Sequence, residues 1–310
     1  MKRFFFAPTA AQAKRNNDFG LNYYMAKKSE QELGFKRTVL DYDDISKMVP
    51  YFKGKQKLVE RLLKWLNVDK VNWIHDHNCD TPGVPFTAGL LRDLNLTLDI
   101  DNEQVLEHLP EGAFITVSNH PFGALDGISL IKMVGEHRPD FKVMVNMVLN
   151  YIGAMRPNFI DVDALASSDP KKRAVSMRGI ADAMRHVKQG HPLGFFPAGA
   201  VSKLTWGLRI EDRQWQPSIM RIIAKMKVPV VPIYFHGHNS FIFTLLGMID
   251  WRLRTLRLPT EVFRRHDQSI RVSIGDPITP GEMAAYPTPE ALGEFLKQRT
   301  YSMRKWKKEQ

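Results

Sequence analysis

The chain has 310 residues, with 44 lysine and arginine against 33 aspartate and glutamate side chains, a formal net charge of +11. Hydrophobic residues at 44% and charged residues at 25% exclude a disordered chain, a collagen and a coiled-coil rod. The single cysteine excludes an intrachain disulfide framework, and the excess positive charge indicates nucleic acid, an anionic membrane or a phosphorylated cofactor as partner.

The N-terminal 85 residues are predicted to form an arm followed by a helical region. Residues 1–40 mix polar, aromatic and basic types without periodicity, which indicates an irregular arm. Residues 43–67 follow a helical pattern with one apolar face. That face packs on the core of the protein or lies on a membrane surface.

A short stretch resembles a metal site. Residues 73–79 place His75, His77 and Cys79 at alternating positions, as ligands on one side of a strand would be. No second cluster with metal spacing follows, and residues 82–85 are typical of a loop. We therefore expect no metal, and a buried, inert Cys79.

From residue 86 onwards, helices and short β-branched strands alternate, which predicts an α/β fold with a layered sheet flanked by helices. Predicted strands lie at residues 95–100, 113–118, 141–145, 192–197, 228–235 and 270–275. Predicted helices lie around residues 90–94 and at 103–109, 128–134, 171–189, 219–226 and 289–308.

The longest segment without charged side chains, residues 228–249, is long enough to span a bilayer. Its centre holds proline, histidine, glycine, asparagine and serine, which fit a strand, a turn and a helix better. The apolar patch near the N-terminus is too short for a signal-peptide core. We expect no transmembrane segment and only peripheral membrane contact.

The junction after the predicted strand 113–118 carries His120 and Asp126. Strand ends of this kind hold the sites of open α/β folds. Positions six apart lie about 240° around a continuous helix, so the pair meets only if the segment is broken, as Pro121 and Gly123 allow. Asp126 would then fix one imidazole N–H and leave the other ring nitrogen as a general base. A loop-capping His120 and a helix-capping Asp126 are the alternatives.

Four stretches in order resemble the motifs of the glycerolipid acyltransferases, the lysophosphatidic acid acyltransferase superfamily. Asn119-His120 with Asp126 resembles the first motif, and Phe159-Ile160-Asp161 the second. Residues 196–202 (Phe-Pro-Ala-Gly-Ala-Val-Ser) resemble the third and residues 228–233 the fourth. The resemblance implies a glycerol-phosphate-acyltransferase-like fold. Its catalytic domain would span residues 86–280, between an N-terminal arm and helical region (1–85) and a C-terminal helix with a basic tail (281–310).

This chain departs from the family pattern in ways that bear on the acceptor. Five residues rather than four separate His120 from Asp126, and Val162 replaces the arginine of the second motif. Ala198 and Val201 replace the glutamate and arginine of the third motif, which argues against a phosphate-bearing acceptor. The pattern resembles a hemolysin-like bacterial branch whose members include O-acyltransferases that make ornithine and glycine lipids.

The resemblance therefore implies acyl transfer from an acyl carrier protein or coenzyme A thioester, without a cofactor, to the hydroxyl of a lyso-aminolipid. Lysophosphatidic acid is the alternative acceptor. His120 would be the general base, oriented by Asp126. The implied substrate-binding residues are Asn119, Phe122, Gly123, Phe159, Asp161, Phe196, Pro197, Ala198, Gly199 and Ser202.

Residues 241–258 combine apolar side chains with tryptophan and arginine, which is typical of a membrane interface and also of a core helix with a solvated basic end. The predicted membrane contacts are Phe241, Phe243, Trp251, Arg252, Arg254 and Arg257. The C-terminal basic residues 299–308 form a helix end, a lipid contact or a carrier-protein dock. We expect a cytoplasmic protein, peripheral on the inner face of the cell membrane.

Two interpretations of other classes stay open at this stage. The charge alone permits a nucleic-acid-binding protein, but we find no zinc finger, RNA-recognition signature or recognition helix and expect no nucleic acid. The altered third motif permits a catalytically inactive membrane protein, against which the retained His120 and Asp126 argue.

Overall fold

The computed structural model describes residues 27–162, 170–205 and 209–305. The chain forms two units, residues 1–35 and residues 36–310. In the first unit, helix α1 (Glu30–Leu33) starts with a capping box between Ser29 and Glu32. This helix corrects the expected irregular arm at residues 30–33, while residues 1–26 lie outside the described residues. The predicted boundaries at 85/86 and 280/281 stay a prediction.

The second unit contains the remaining helices and all strands described. The helices are α2 (Tyr42–Met48), α3 (Gln56–Trp65), α4 (Val68–Asn78), α5 (Val84–Asp93), α6 (Gln104–Glu107), α7 (Ala124–Gly135), α8 (Pro170–Lys188), α9 (Pro217–Met226), α10 (Phe241–Ile249), α11 (Trp251–Leu256), α12 (Leu258–Arg264), α13 (Pro280–Ala284) and α14 (Pro289–Ser302). The strands are β1 (Thr97–Asp101), β2 (Ile115–Ser118), β3 (Lys142–Asn146), β4 (Phe159–Val162), β5 (Leu193–Phe195), β6 (Lys203–Leu204), β7 (Ile210–Glu211), β8 (Val230–Phe235) and β9 (Ser269–Ile274).

Seven strands form one sheet in the order β1-β9-β8-β2-β5-β3-β4. The five strands from β8 to β4 are parallel, while β9 is antiparallel to β8 and parallel to β1. The central strands β2 and β8 are buried along their whole length, as strands covered on both faces must be. This sheet with flanking helices confirms the predicted α/β layered fold.

Helices cover both faces of the sheet. On one face, a single core joins β2 and β5 to α8, α9 and α14 through Ile115, Phe195, Ala183, Ile223 and Leu296. On the other face, α7 packs so closely that a Cβ built at Gly194 of β5 would lie 3.3 Å from Leu130. The loops at the carboxyl end of β2 therefore emerge between two packed layers.

The segment with alternating histidines is a helix, which corrects the strand-like interpretation of residues 73–79. The buried residues of α4 recur at helical spacing, at Val68, Ile74, His75 and Asn78. Nδ1 of buried His75 lies 2.8 Å from the carbonyl oxygen of Arg37, and its Nε2 accepts the N–H of Ala154. No metal-binding group of residues occurs in the described part of the chain.

Two smaller corrections follow from proline and glycine. The helical pattern at 43–67 is split into α2 and α3 by a 3₁₀ turn (Pro50–Phe52) and by Gly54, which has a φ of 74°. The predicted loop at 82–85 ends early, because α5 starts at Val84 with Pro85 in its first turn.

The uncharged segment 228–249 forms β8, a turn and α10. Among the described residues, no helix has both the length and the apolar character needed to cross a bilayer.

Candidate active site

His120 and Asp126 meet at the carboxyl end of β2. Nδ1 of His120 lies 3.0 Å from Oδ2 of Asp126. The His120 side chain is 19% exposed and the Asp126 side chain is fully buried. The distance between Nδ1 and Oδ2 is that of an ion pair, but their alignment does not meet the criteria for a hydrogen bond. Catalytic hydrogen bonds are often poorly aligned in structures without substrate.

The loop between the two residues explains how positions six apart come together. Gly123 precedes α7 with a φ of 76°, which breaks the helix before its first turn. Asp126, in that first turn, accepts the backbone N–H groups of Phe122 and Gly123 on Oδ2 at 2.9 Å each. The positive φ favours glycine there, and a Cβ would also lie 2.8 Å from a terminal methyl of Leu258, which would have to shift. The five-residue spacing is thus accommodated in a short non-helical turn.

Burial dominates the electrostatics of this pair. It raises the pKa of the Asp126 carboxyl above its ordinary value, while the His120 imidazole and the two backbone N–H groups oppose that rise. An ionised Asp126 therefore costs stability in this buried position. Within the described residues no group bonds Nε2 of His120, so this nitrogen is free for a substrate proton.

The third-motif turn packs directly on the histidine. The ring of Phe196 lies on the imidazole of His120, with ring centroids 4.2 Å apart. The backbone N–H of Ser202 donates to the carbonyl oxygen of His120 at 2.9 Å. The first and third motifs are therefore one structural unit.

Asp212 is a member of the site that sequence reasoning missed. Its Oδ1 accepts the backbone N–H of His120 at 3.2 Å and the Ser202 hydroxyl at 2.6 Å, and its Oδ2 accepts the indole N–H of Trp215. Burial raises the pKa of this carboxyl. Asp212 lies 92 residues beyond His120 in a polar stretch outside every motif, so no local signal marks it.

Several implied substrate-binding residues instead serve the scaffold. The Asn119 side chain donates to the carbonyl oxygen of Phe235 and accepts its N–H, at 2.9 and 2.7 Å, so it ties β2 to β8. Its role in substrate binding stays a prediction. Ser202 is buried with its hydroxyl bound to Asp212, and Phe122 is only 1% exposed.

The other residues of the third-motif turn follow Phe196, whose ring lies on the imidazole of His120. Pro197 and Ala198 are buried, and Gly199 is exposed with a φ of 65°. Gly199 donates its N–H to Phe196, and any side chain in its place would collide with Gln216.

The second-motif residues lie apart from His120. Phe159 and Asp161 are on β4, which β5 and β3 separate from β2 in the sheet. They line a cavity of about 500 Å³ with Arg178 and Arg185 of α8, and His120 is not among the described residues that line it. Asp161 accepts a hydrogen bond from the Asn150 side chain at 2.6 Å.

Of the predicted membrane contacts, some are exposed and others are buried. Phe241 is 76% exposed, but Phe243 and Arg254 are 2% and 6% exposed, so the prediction of surface contact is wrong for these two. They face inward because one side of α10 and α11 packs on the third-motif loop. Arg257 forms an ion pair with buried Glu261 at 3.0 Å. The side chains of Trp251 and Arg252 lie outside those described, as do Lys307 and Lys308 of the C-terminal cluster.

The chain is similar in sequence to known acyltransferases. A family model described as "Acyltransferase" matches residues 52–308. A lyso-glycine lipid O-acyltransferase of Bacteroides thetaiotaomicron is 26% identical over 265 residues, 83% of this chain and 92% of that protein. One of Phocaeicola vulgatus is 26% identical over 274 residues, 84% of this chain and 94% of that protein. The crystal structure of the 1-acyl-sn-glycerophosphate acyltransferase PlsC from Thermotoga maritima overlaps 87% of this chain and 96% of its own, with 15% identity and a TM-score of 0.46.

Proposed function

The chain belongs to the acyltransferase family, within the glycerolipid acyltransferase superfamily, and we propose that it acylates the hydroxyl of a lyso-aminolipid of the lyso-glycine or lyso-ornithine type. The observation that carries the proposal is the contact of His120 with buried Asp126, which leaves Nε2 free. The two relatives named as lyso-glycine lipid O-acyltransferases point to the acceptor.

In the proposed reaction, Nε2 of His120 takes the proton of the acceptor hydroxyl as its oxygen attacks the thioester carbonyl. A C–O bond forms, the C–S bond breaks, and the proton passes from the imidazolium to the departing thiolate. Asp126 stabilises the imidazolium while it exists. General-base catalysis supplies roughly 10²- to 10⁴-fold of the acceleration.

The oxyanion of the attacked carbonyl needs N–H donors close to the imidazole. The turn at residues 196–200 lies beside the ring of His120 and is tightened by the hydrogen bond from Gly199 to Phe196. We propose that backbone N–H groups of this turn bind the oxyanion. The glycine permits close approach of the substrate.

An exposed apolar surface next to the site supports attachment to a membrane. It consists of Phe241, Ile242, Leu245, Met248 and Ile249 of α10 with Leu253 and Leu256 of α11. Patches of this kind mark membrane or protein contacts. Leu258, just beyond α11, packs against Gly123 beside His120. The surface would let a lipid acceptor reach His120 from the bilayer, and the excess positive charge favours anionic lipid.

The acyl donor is a thioester of acyl carrier protein or of coenzyme A, and no cofactor takes part. The test is to offer purified protein the lyso-glycine lipid, the lyso-ornithine lipid and lysophosphatidic acid, each with both donors, and to measure diacylated products by mass spectrometry. Product from an aminolipid is expected. Product from lysophosphatidic acid alone would contradict the proposal.

A further inference from the structure

A buried arginine from outside all four motifs reaches the third-motif loop. Arg254 lies on α11, and its guanidinium donates to the carbonyl oxygens of Val201 at 3.1 Å and of Ser202 at 3.4 Å. The whole residue is 6% exposed. The related motif has arginine at the position of Val201. Arg254 of α11 therefore supplies a positive charge to a loop that lacks its usual arginine.

This guanidinium has no anionic partner in the part of the chain that the structure describes. Its other close neighbours are the ring of Phe243, 5.8 Å from the guanidinium carbon, and Gly247, where any side chain would collide with it. A buried charge without an opposite charge is costly. Burial and, to a smaller extent, nearby Arg213 lower the pKa of Arg254.

The unpaired cation is close to the proposed base. Arg254 touches the carbonyl of Ser202, and the N–H of the same Ser202 donates to the carbonyl of His120 at 2.9 Å. The backbone of Ser202 therefore links the two residues, with its carbonyl bound to the Arg254 guanidinium and its N–H to the backbone of His120. In a lyso-glycine lipid, an amide and one glycine link the reacting hydroxyl to the carboxylate, about two extended residue lengths or roughly 7 Å. An acceptor placed with its hydroxyl on His120 would bring its carboxylate into this region.

We infer that Arg254 binds the carboxylate of the acceptor's amino-acid headgroup and so selects an anionic aminolipid. The inference rests on the proposed function. A guanidinium suits a carboxylate because two parallel N–H groups pair with its two oxygens. Since little of Arg254 is exposed, we expect the anion to be small, as a carboxylate is. The loss of charge at Val201 thus removes a phosphate site without removing anion recognition.

The experiment compares two acceptors that differ in one charge. N-(3-hydroxyacyl)glycine carries the carboxylate, and the matching glycinamide does not. Wild-type protein is expected to favour the glycine acceptor in kcat/KM by about 10- to 100-fold, the range for a charge-assisted hydrogen bond. In R254Q this ratio should fall to near one, chiefly through the glycine acceptor, whereas R254K should keep part of it. R221Q, which alters an exposed arginine on α9, is the matched control.

The outcomes separate the ways in which the inference could fail. If R254Q lowers kcat/KM equally for both acceptors, so that the ratio between them persists, Arg254 only stabilises the third-motif loop and the inference is overturned. Equal use of both acceptors by wild-type protein would overturn it as well. If wild-type protein acylates neither aminolipid, the proposed function fails and the assignment falls with it. Circular dichroism and thermal melting of R254Q and R254K identify a variant that has not folded. If R254Q does not fold, the ratio of kcat/KM measured with R254K tests the inference.

Discussion

The substitution Asp126→Asn separates the charge of this residue from its role in the loop. The amide oxygen of asparagine still accepts the backbone N–H groups of Phe122 and Gly123, so the turn before α7 is retained. What is lost is the negative charge 3.0 Å from Nδ1 of His120. At that distance and an effective dielectric constant of about 20, Coulomb's law gives roughly 5.5 kcal/mol.

That figure is an upper limit, because two backbone donors already share Oδ2. A loss of about 3–4 kcal/mol in stabilisation of the imidazolium corresponds to a roughly 10²- to 10³-fold lower kcat. KM for the acceptor should change little, because the charge acts only when His120 becomes protonated.

The stability of Asp126→Asn should not fall with its activity. Burial raises the folded-state pKa of Asp126 above its unfolded value, so its favourable contribution is present below the unfolded pKa and is lost as pH rises through the folded pKa. At neutral pH the ionised carboxylate is a cost that asparagine removes. Thermal melting of Asp126→Asn should therefore show no loss of stability.

The assay is steady-state transfer at saturating thioester, with Asp69→Asn on the exposed face of α4 as matched control. An Asp126→Asn protein that keeps kcat within twofold of wild type would refute a catalytic role for this charge. Asp126 would then serve only as a cap of α7.

Other predictions address the loop, the buried histidine and the surface. Asp212→Asn should lower kcat about tenfold while the protein stays folded and unaggregated. One oxygen of the carboxylate, which accepts either the backbone N–H of His120 or the indole N–H of Trp215, is replaced by an amide group that donates. An unchanged kcat would contradict this prediction. Burial lowers the pKa of His75, so the stability it contributes is present above its ordinary value of 6.5 and falls as pH drops through 6.5. Urea unfolding between pH 7 and pH 5 should show a shallower pH dependence in His75→Asn, and an identical slope would argue against it. Replacing exposed Phe241 and Met248 by serine should weaken pelleting with anionic vesicles several-fold without reducing transfer to a detergent-dispersed acceptor, and undiminished pelleting would exclude α10 as the docking surface.

The local sequence carries enough information to predict the layered fold and the catalytic pair. Strands such as β2 and β8 are short β-branched apolar runs, and their burial on both faces follows from that composition. The His120–Asp126 contact was foreseeable because Pro121 and Gly123 break the helix between them. Both features depend on neighbours in the chain.

What the sequence did not reveal depends on tertiary contacts. Asp212 joins the site only because the hairpin of β6 and β7 returns the chain to β2, and nothing near it in sequence signals a buried carboxylate. Asn119 has a polar side chain beside the base, yet the backbone of β8 takes both of its hydrogen-bonding groups. Arg254 belongs to a basic run that suggests a solvated surface, but helical periodicity turns this one member inward.

The same periodicity explains the error at residues 73–79. Alternation at every second residue is a strand pattern, and a histidine pair with a cysteine draws attention to it. The residues of this segment that are buried (Val68, Ile74, His75 and Asn78) lie on one face of a helix instead, and burial of that face decides the structure.

The central claim is that His120 is the general base of direct acyl transfer to a lyso-aminolipid. It is tested most directly by the rate at which purified His120→Ala protein converts lyso-glycine lipid and an acyl thioester to the diacyl lipid. His108→Ala, at an exposed histidine that precedes β2 in the chain, is the matched control. We predict that His120→Ala is folded and at least about 10²-fold slower, while His108→Ala is unchanged. A folded His120→Ala protein that transfers acyl groups at the wild-type rate would contradict the claim.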